Sequence, residues 1–153
     1  MAPVVWHFNA VVKGTSDAVF AWLSDYQSDD HNSAAFRKGA GEKKPPKHPA
    51  KRQILSREGN VLKIHDEWGR SRFDSVVELV PLSREVKITG AFGYSAVWKA
   101  VPEGDRTKLE VHGTWAPKGF LKLFVPLLRK GFVRDMDLDF KGHTAELEND
   151  LAG

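Results

Sequence analysis

A carboxylate set among apolar neighbours invites chemistry, and Asp66 is such a group. In the run Val61–Trp68 alternate residues share a face, so Asp66 falls in line with Leu62, Ile64 and Trp68. Burial there would raise its pKa unless a cation or hydrogen-bond donor compensates, and a carboxyl so placed could orient a ligand hydroxyl or act as acid or base. A slipped register, or a salt bridge at the strand end, would make the same residue structural only. His143 is the second candidate. It follows Asp139 by four residues in a helical pattern, the spacing at which a carboxylate can hold an imidazole. A partly exposed surface pair has the same spacing. Tyr94 could present a phenol to an enclosed space, or spend it on a backbone carbonyl.

Other chemistries lack their residues. Without cysteine there is no disulfide framework, no thiolate nucleophile and no Cys-containing zinc site. The histidines His7, His31, His48, His65, His112 and His143 form no HExxH pair and no iron facial triad. Gly39-Ala40-Gly41 begins like a dinucleotide fingerprint but lacks a third glycine and a preceding strand, and neither a P-loop nor a GxSxG elbow occurs. No metal and no cofactor is expected, and no residue is assigned a catalytic role.

These groups need a frame to hold them. A chain of 153 residues, 41% hydrophobic and 10% aromatic, suits a single domain over 1–153 with a sizeable core. Lys plus Arg total 23 against 20 acids, a formal charge of +3 that makes no nucleic-acid footprint. The start shows no charged segment leading into an apolar one, and no run is long enough to span a membrane. The expectation is a cytoplasmic protein, monomeric or weakly dimeric.

The pattern predicts a strand at Val4–Lys13, then a short helix capped by Ser16 and ending near Tyr26 with Val19, Phe20 and Leu23 inward. Residues 27–50 read as a Gly- and Pro-containing basic loop with one helical turn near Asn32–Phe36. From Lys51 the period becomes two. Strands are predicted at Arg52–Arg57, Val61–Trp68, Arg72–Val80, Glu85–Ala91, Tyr94–Val101 and Thr107–Trp115, the first two joined by the Gly59-Asn60 hairpin signal. Phe92, Tyr94, Ala96 and Trp98 are predicted to share an inward face, as are Leu109, Val111, Gly113 and Trp115. A separate turn at Lys118–Val125 then leads to a long helix starting near Pro126. Val125, Leu128, Phe132, Met136, Phe140, Leu147 and Leu151 recur at helical spacing and predict a stripe buried against the sheet.

This order, with Ser-Asp-Ala-Val-Phe-Ala-Trp-Leu-Ser-Asp-Tyr after the first strand, the Gly-Asn hairpin and the Ala-Pro-Lys-Gly exit into the long helix, resembles the START-like (SRPBCC, Bet v 1-type) helix-grip superfamily. Within it the chain looks most like the polyketide cyclase/dehydrase and lipid-transport group. The resemblance covers nearly the whole chain and rests on element order, not on a catalytic signature. It implies an α+β fold in which seven antiparallel strands curve around the C-terminal helix and enclose a hydrophobic cavity. The basic, Pro-rich loop departs from the second helix of many relatives.

What the resemblance implies for function is a small hydrophobic ligand, a lipid, polyketide-like or aromatic molecule, held by a carrier or sensor. Its apolar wall would come from Trp68, Phe92, Tyr94, Trp98, Trp115, Phe132, Met136 and Phe140, with Asp66 and His143 as polar points. The alternatives are a cofactor-independent cyclase/dehydratase using the same cavity, and a chaperone-binding interaction module with a filled core. The cations Lys43, Lys44, Lys47, Lys51 and Arg52 could touch an anionic membrane surface transiently, or be solvated only.

Overall fold

Period-two alternation dominates the middle of the chain, and it folds into seven strands: β1 (Val4–Lys13), β2 (Lys51–Glu58), β3 (Val61–Trp68), β4 (Ser71–Val80), β5 (Glu85–Gly90), β6 (Tyr94–Glu103) and β7 (Arg106–Trp115). The computed structural model describes residues 3–26, 34–41, 51–68 and 70–152. All neighbours pair antiparallel in the order β1-β7-β6-β5-β4-β3-β2, a single sheet with β1 and β2 at its edges. Between β1 and β2 lie α1 (Ser16–Leu23) and α2 (Ala34–Gly39). A 3-10 segment, Gly119–Phe124, leads into α3 (Val125–Ala152), with Pro126 in the first turn where its missing N–H costs nothing. This is the α+β helix-grip architecture that the element order predicts.

The helix α1 is capped by Thr15, not Ser16: the Thr15 hydroxyl accepts from the Ala18 amide at 3.2 Å. Either residue type can cap, and the one held in an extended conformation takes the role.

The inner sheet face is apolar. Leu62, Ile64, Val77, Val86, Ala96, Trp98, Ala100, Leu109 and Val111 are buried there with Phe140 and Leu147 of α3. A second cluster joins Val4, Trp6, Trp115 and Val125, with Phe132 stacked on Trp115 at 4.5 Å between ring centroids. Opposite Trp6 stands Gly113, and the indole occupies the space a Cβ would need. α3 packs chiefly on β1 and α2, so its contact with the sheet is to one side. Leu128 and Leu151, expected inside, are exposed: the stripe outruns the surface that could cover it.

Candidate functional site

Because α3 leans toward β1, the inner faces of β3 to β6 are only partly covered, and a cavity of about 1530 Å³ lies between them and the helix. Ile64, Phe73, Ser75, Val77, Val86 and Ile88 form its sheet wall; Trp115, Leu121, Phe132 and Met136 close one end. Trp22, Phe36 and Tyr26 approach from α1, α2 and the segment after α1.

Asp66 faces this space and is buried, but a cation meets it. Arg52 Nε donates to Oδ1 at 2.7 Å and Nη2 to Oδ2 at 3.3 Å, with the two side chains 12% and 13% exposed. The guanidinium carbon also lies 5.1 Å from the centre of the Tyr26 ring. The expectation that Arg52 belongs with the loop cations is therefore corrected: it turns inward. The cause is a bulge in β2. From Glu58↔Val61 to Ser56↔Lys63 the hairpin keeps one register, then Leu55 is left over and Ile54 pairs with Ile64, so Arg52 stands opposite Asp66. Without that extra residue Arg52 would point to the other face.

His143 projects from α3 toward the same end. Its Nε2 lies 3.4 Å from Asp139 Oδ2, and its ring meets Phe36, Trp98 and Trp22 edge-on at 4.9, 5.5 and 6.3 Å. Burial works against its charge, but Asp139, through charge and hydrogen bond, and buried Glu146 outweigh it and the repulsion of Arg52, so its pKa stands above 6.5. Tyr94 lines the cavity and stacks obliquely on Trp6 at 5.7 Å. Burial, reinforced by the Asp139 charge, holds its phenol protonated far above the ordinary range. Its hydroxyl has no hydrogen-bond partner among the described residues.

Of the residues singled out in the sequence, Asp66, Tyr94, Trp98, Trp115, Phe132, Met136 and His143 border the cavity. Phe92 borders it differently from expectation. It sits in the 3-10 turn Ala91–Gly93 with φ 58°, largely exposed at the rim, because the strand breaks after Gly90. Phe140 does not line the cavity. It is wedged between Phe8 and Trp98 at 5.8 and 5.7 Å, where it supports the Trp98 ring from behind. The side chain of Trp68, and Lys43, Lys44 and Lys47, lie outside the described residues; Lys51 is exposed. Phe73, Ile88 and Val77 were missed, although their alternation carried the signal. Arg52, displaced by the bulge, left none.

Among the described residues no three His, Asp or Glu side chains gather as a metal site. No protein-family model and no curated protein matches the chain. Solved structures do. The chain is similar to a protein from Thermus thermophilus (15% identity, TM-score 0.68, 97% of each chain). It is also similar to the Zhui aromatase/cyclase from a Streptomyces species (16%, TM-score 0.66, 98% of this chain and 96% of that one). A START superfamily protein from Mycobacterium smegmatis aligns at 16% identity and TM-score 0.58, over 95% of this chain and 99% of that one. The fold is START-like. At such identities the START-like likeness describes architecture alone, and chemistry has to be argued from the cavity.

Proposed function

We propose that this chain binds a small, mainly apolar molecule between the START-like sheet and α3. The observation that carries the reading is the cavity itself, about 1530 Å³ with aromatic walls and one polar end. The core is not filled, which argues against an interaction module that would leave it packed. From Phe132 to His143 the helix rises on the order of 15 Å, so the ligand that fits is elongated or flat and fused. Its apolar body would lie against Trp115, Phe132 and Met136. A hydroxyl, keto or amide group would meet Tyr94, His143 and the Arg52–Asp66 pair, which together offer donors and acceptors.

A carrier or sensor is the first reading. Asp66 is held through both oxygens by Arg52, an arrangement suited to orientation rather than proton transfer. The half-buried His143–Asp139 pair supports a second reading, a cofactor-independent cyclase/dehydratase in which the imidazole moves protons on a bound polyketide-like chain. The aromatase/cyclase among the similar structures is consistent with it. Native mass spectrometry of the purified chain tests the shared premise: a retained small molecule, lost on denaturation, is expected. If none is retained, an apolar fluorescent probe must bind and quench tryptophan emission, since failure of both would end the proposal. His143→Gln then separates the readings, leaving probe binding within a few-fold and, for an enzyme, removing turnover by a hundredfold or more.

A further inference from the structure

The chain between β7 and the middle of α3 has a composition that the cavity does not explain. Residues 118–134 contain Lys118, Lys122, Arg129, Lys130 and Arg134 and no acid, five positive charges in a chain whose formal total is +3. Between them the apolar side chains stand in water. Phe120 is 75% exposed, Leu123 66% and Leu127 80%, with Phe124 and Leu128 also exposed. Phe120 and Phe124 touch edge-to-face at 5.2 Å, which makes one raised patch of them. The turn carrying exposed Phe92 adjoins this segment's entry, where the Ala116 amide donates to the Gly93 carbonyl at 3.0 Å.

Such a surface is costly for a protein that meets only water. Apolar side chains this exposed and this close together mark a face with an occupant. The cations define its chemistry: Lys118, Lys122 and Lys130 are exposed and form no ion pair among the described residues. We infer that the Gly119–Phe124 segment and the first turns of α3 form an interfacial docking surface for an anionic lipid bilayer. Phe120, Leu123 and Leu127 enter the acyl boundary while Lys118, Lys122 and Lys130 meet the headgroups. Among the described residues no helix is long and apolar enough to cross a membrane, so the contact lies in the plane of the interface. Leu121 and Phe132, from the same stretch, line the cavity, so docking would bring its mouth to the lipid. The docking does not depend on what the cavity holds.

Co-sedimentation of the full chain with vesicles tests it, using phosphatidylcholine alone and phosphatidylcholine with phosphatidylglycerol. The expected result is binding to the anionic vesicles that weakens with salt, and at least tenfold weaker binding to the neutral ones. Lys122→Gln with Lys130→Gln should lower it about 25-fold, from roughly fivefold per cation at the surface. Phe120→Ser with Leu127→Ser should lower it on the order of a hundredfold. These four side chains are exposed, so the fold is expected to survive, with circular dichroism as the check. The chain has no cysteine, so Leu127→Cys also accepts a single environment-sensitive label. Its emission should shift to the blue on anionic vesicles, whereas a label at Lys87→Cys, exposed on β5, should not change. No binding at low salt overturns the inference. So does binding that ignores Phe120→Ser with Leu127→Ser, which would be adsorption by charge alone. A dimer that Leu127→Ser dissociates, with no affinity for vesicles, assigns the face to a second copy and overturns it equally.

Discussion

Arg52 and Asp66 form the pair most sensitive to a single change, because each is the other's means of being charged inside. Arg52→Met leaves a buried carboxylate without its cation and should destabilise the fold by about 3 kcal/mol. Asp66→Leu with Arg52→Met should cost much less than the sum of the two single changes, since no unpaired charge remains. Urea denaturation of the four proteins measures this; strictly additive losses would mean that the pair is not coupled. The histidine gives a pH-dependent counterpart. A pKa raised by folding means that protonated His143 stabilises the native state fully below about pH 6.5 and that the contribution is lost as pH rises through the raised value. Asp139→Asn removes the largest of the influences raising it, so the His143 midpoint followed by NMR should fall. An unmoved midpoint would show that the 3.4 Å approach carries no interaction. At this scale the sequence was informative about types and poor about partners. Asp66 could be placed on the inner face by alternation, yet its partner lies across a hairpin whose register depends on one extra residue, Leu55.

The elements were legible wherever a period persisted. β1, β3 and the start of α3 could be bounded closely because alternation, the Gly59-Asn60 turn and Pro126 each act locally. Phe92 shows the limit: its spacing from Tyr94 fits the strand face, but a left-handed turn intervenes and swings the ring to the rim. The packing of α2 on α3 was not legible either, since it turns on bare backbone. A Cβ at Gly142 would lie 2.7 Å from the Phe36 ring, and one at Gly39 2.5 Å from the Ala145 Cβ. Alanine is worth about 1 kcal/mol more than glycine inside a helix, whereas forced overpacking costs about 1–3 kcal/mol. Gly142→Ala should therefore destabilise by about 1 kcal/mol net and displace Phe36 from His143. Phe36→Ala should relieve the clash, so that the double variant is more stable than additivity predicts. A Gly142→Ala protein more stable than wild type would show that α2 yields freely.

Considered as a whole, the molecule holds a large opening beneath its longest helix. Its volume of about 1530 Å³ exceeds the roughly 300–1,000 Å³ typical of ligand pockets, and apolar walls without a neighbour forgo their dispersion contacts. A molecule that fills it should stabilise the native state by mass action. At a hundredfold excess over Kd the gain is about 2.7 kcal/mol, and at roughly 2–4 °C per kcal/mol for a chain of this size Tm should rise by about 5–10 °C. Ser75 offers a control. It lines the cavity on β4 opposite Gly90 with the Tyr94 ring beside it, so Ser75→Phe, reaching past that ring into the opening, takes up cavity volume. That variant should keep its ligand-free Tm or raise it, through recovered contacts, and should lose most of the ligand-induced shift. Differential scanning fluorimetry with an apolar probe makes the comparison. Equal shifts in both proteins would place the bound molecule outside the cavity, whereas a fall in the ligand-free Tm would show that the space near Ser75 is already occupied by side chains.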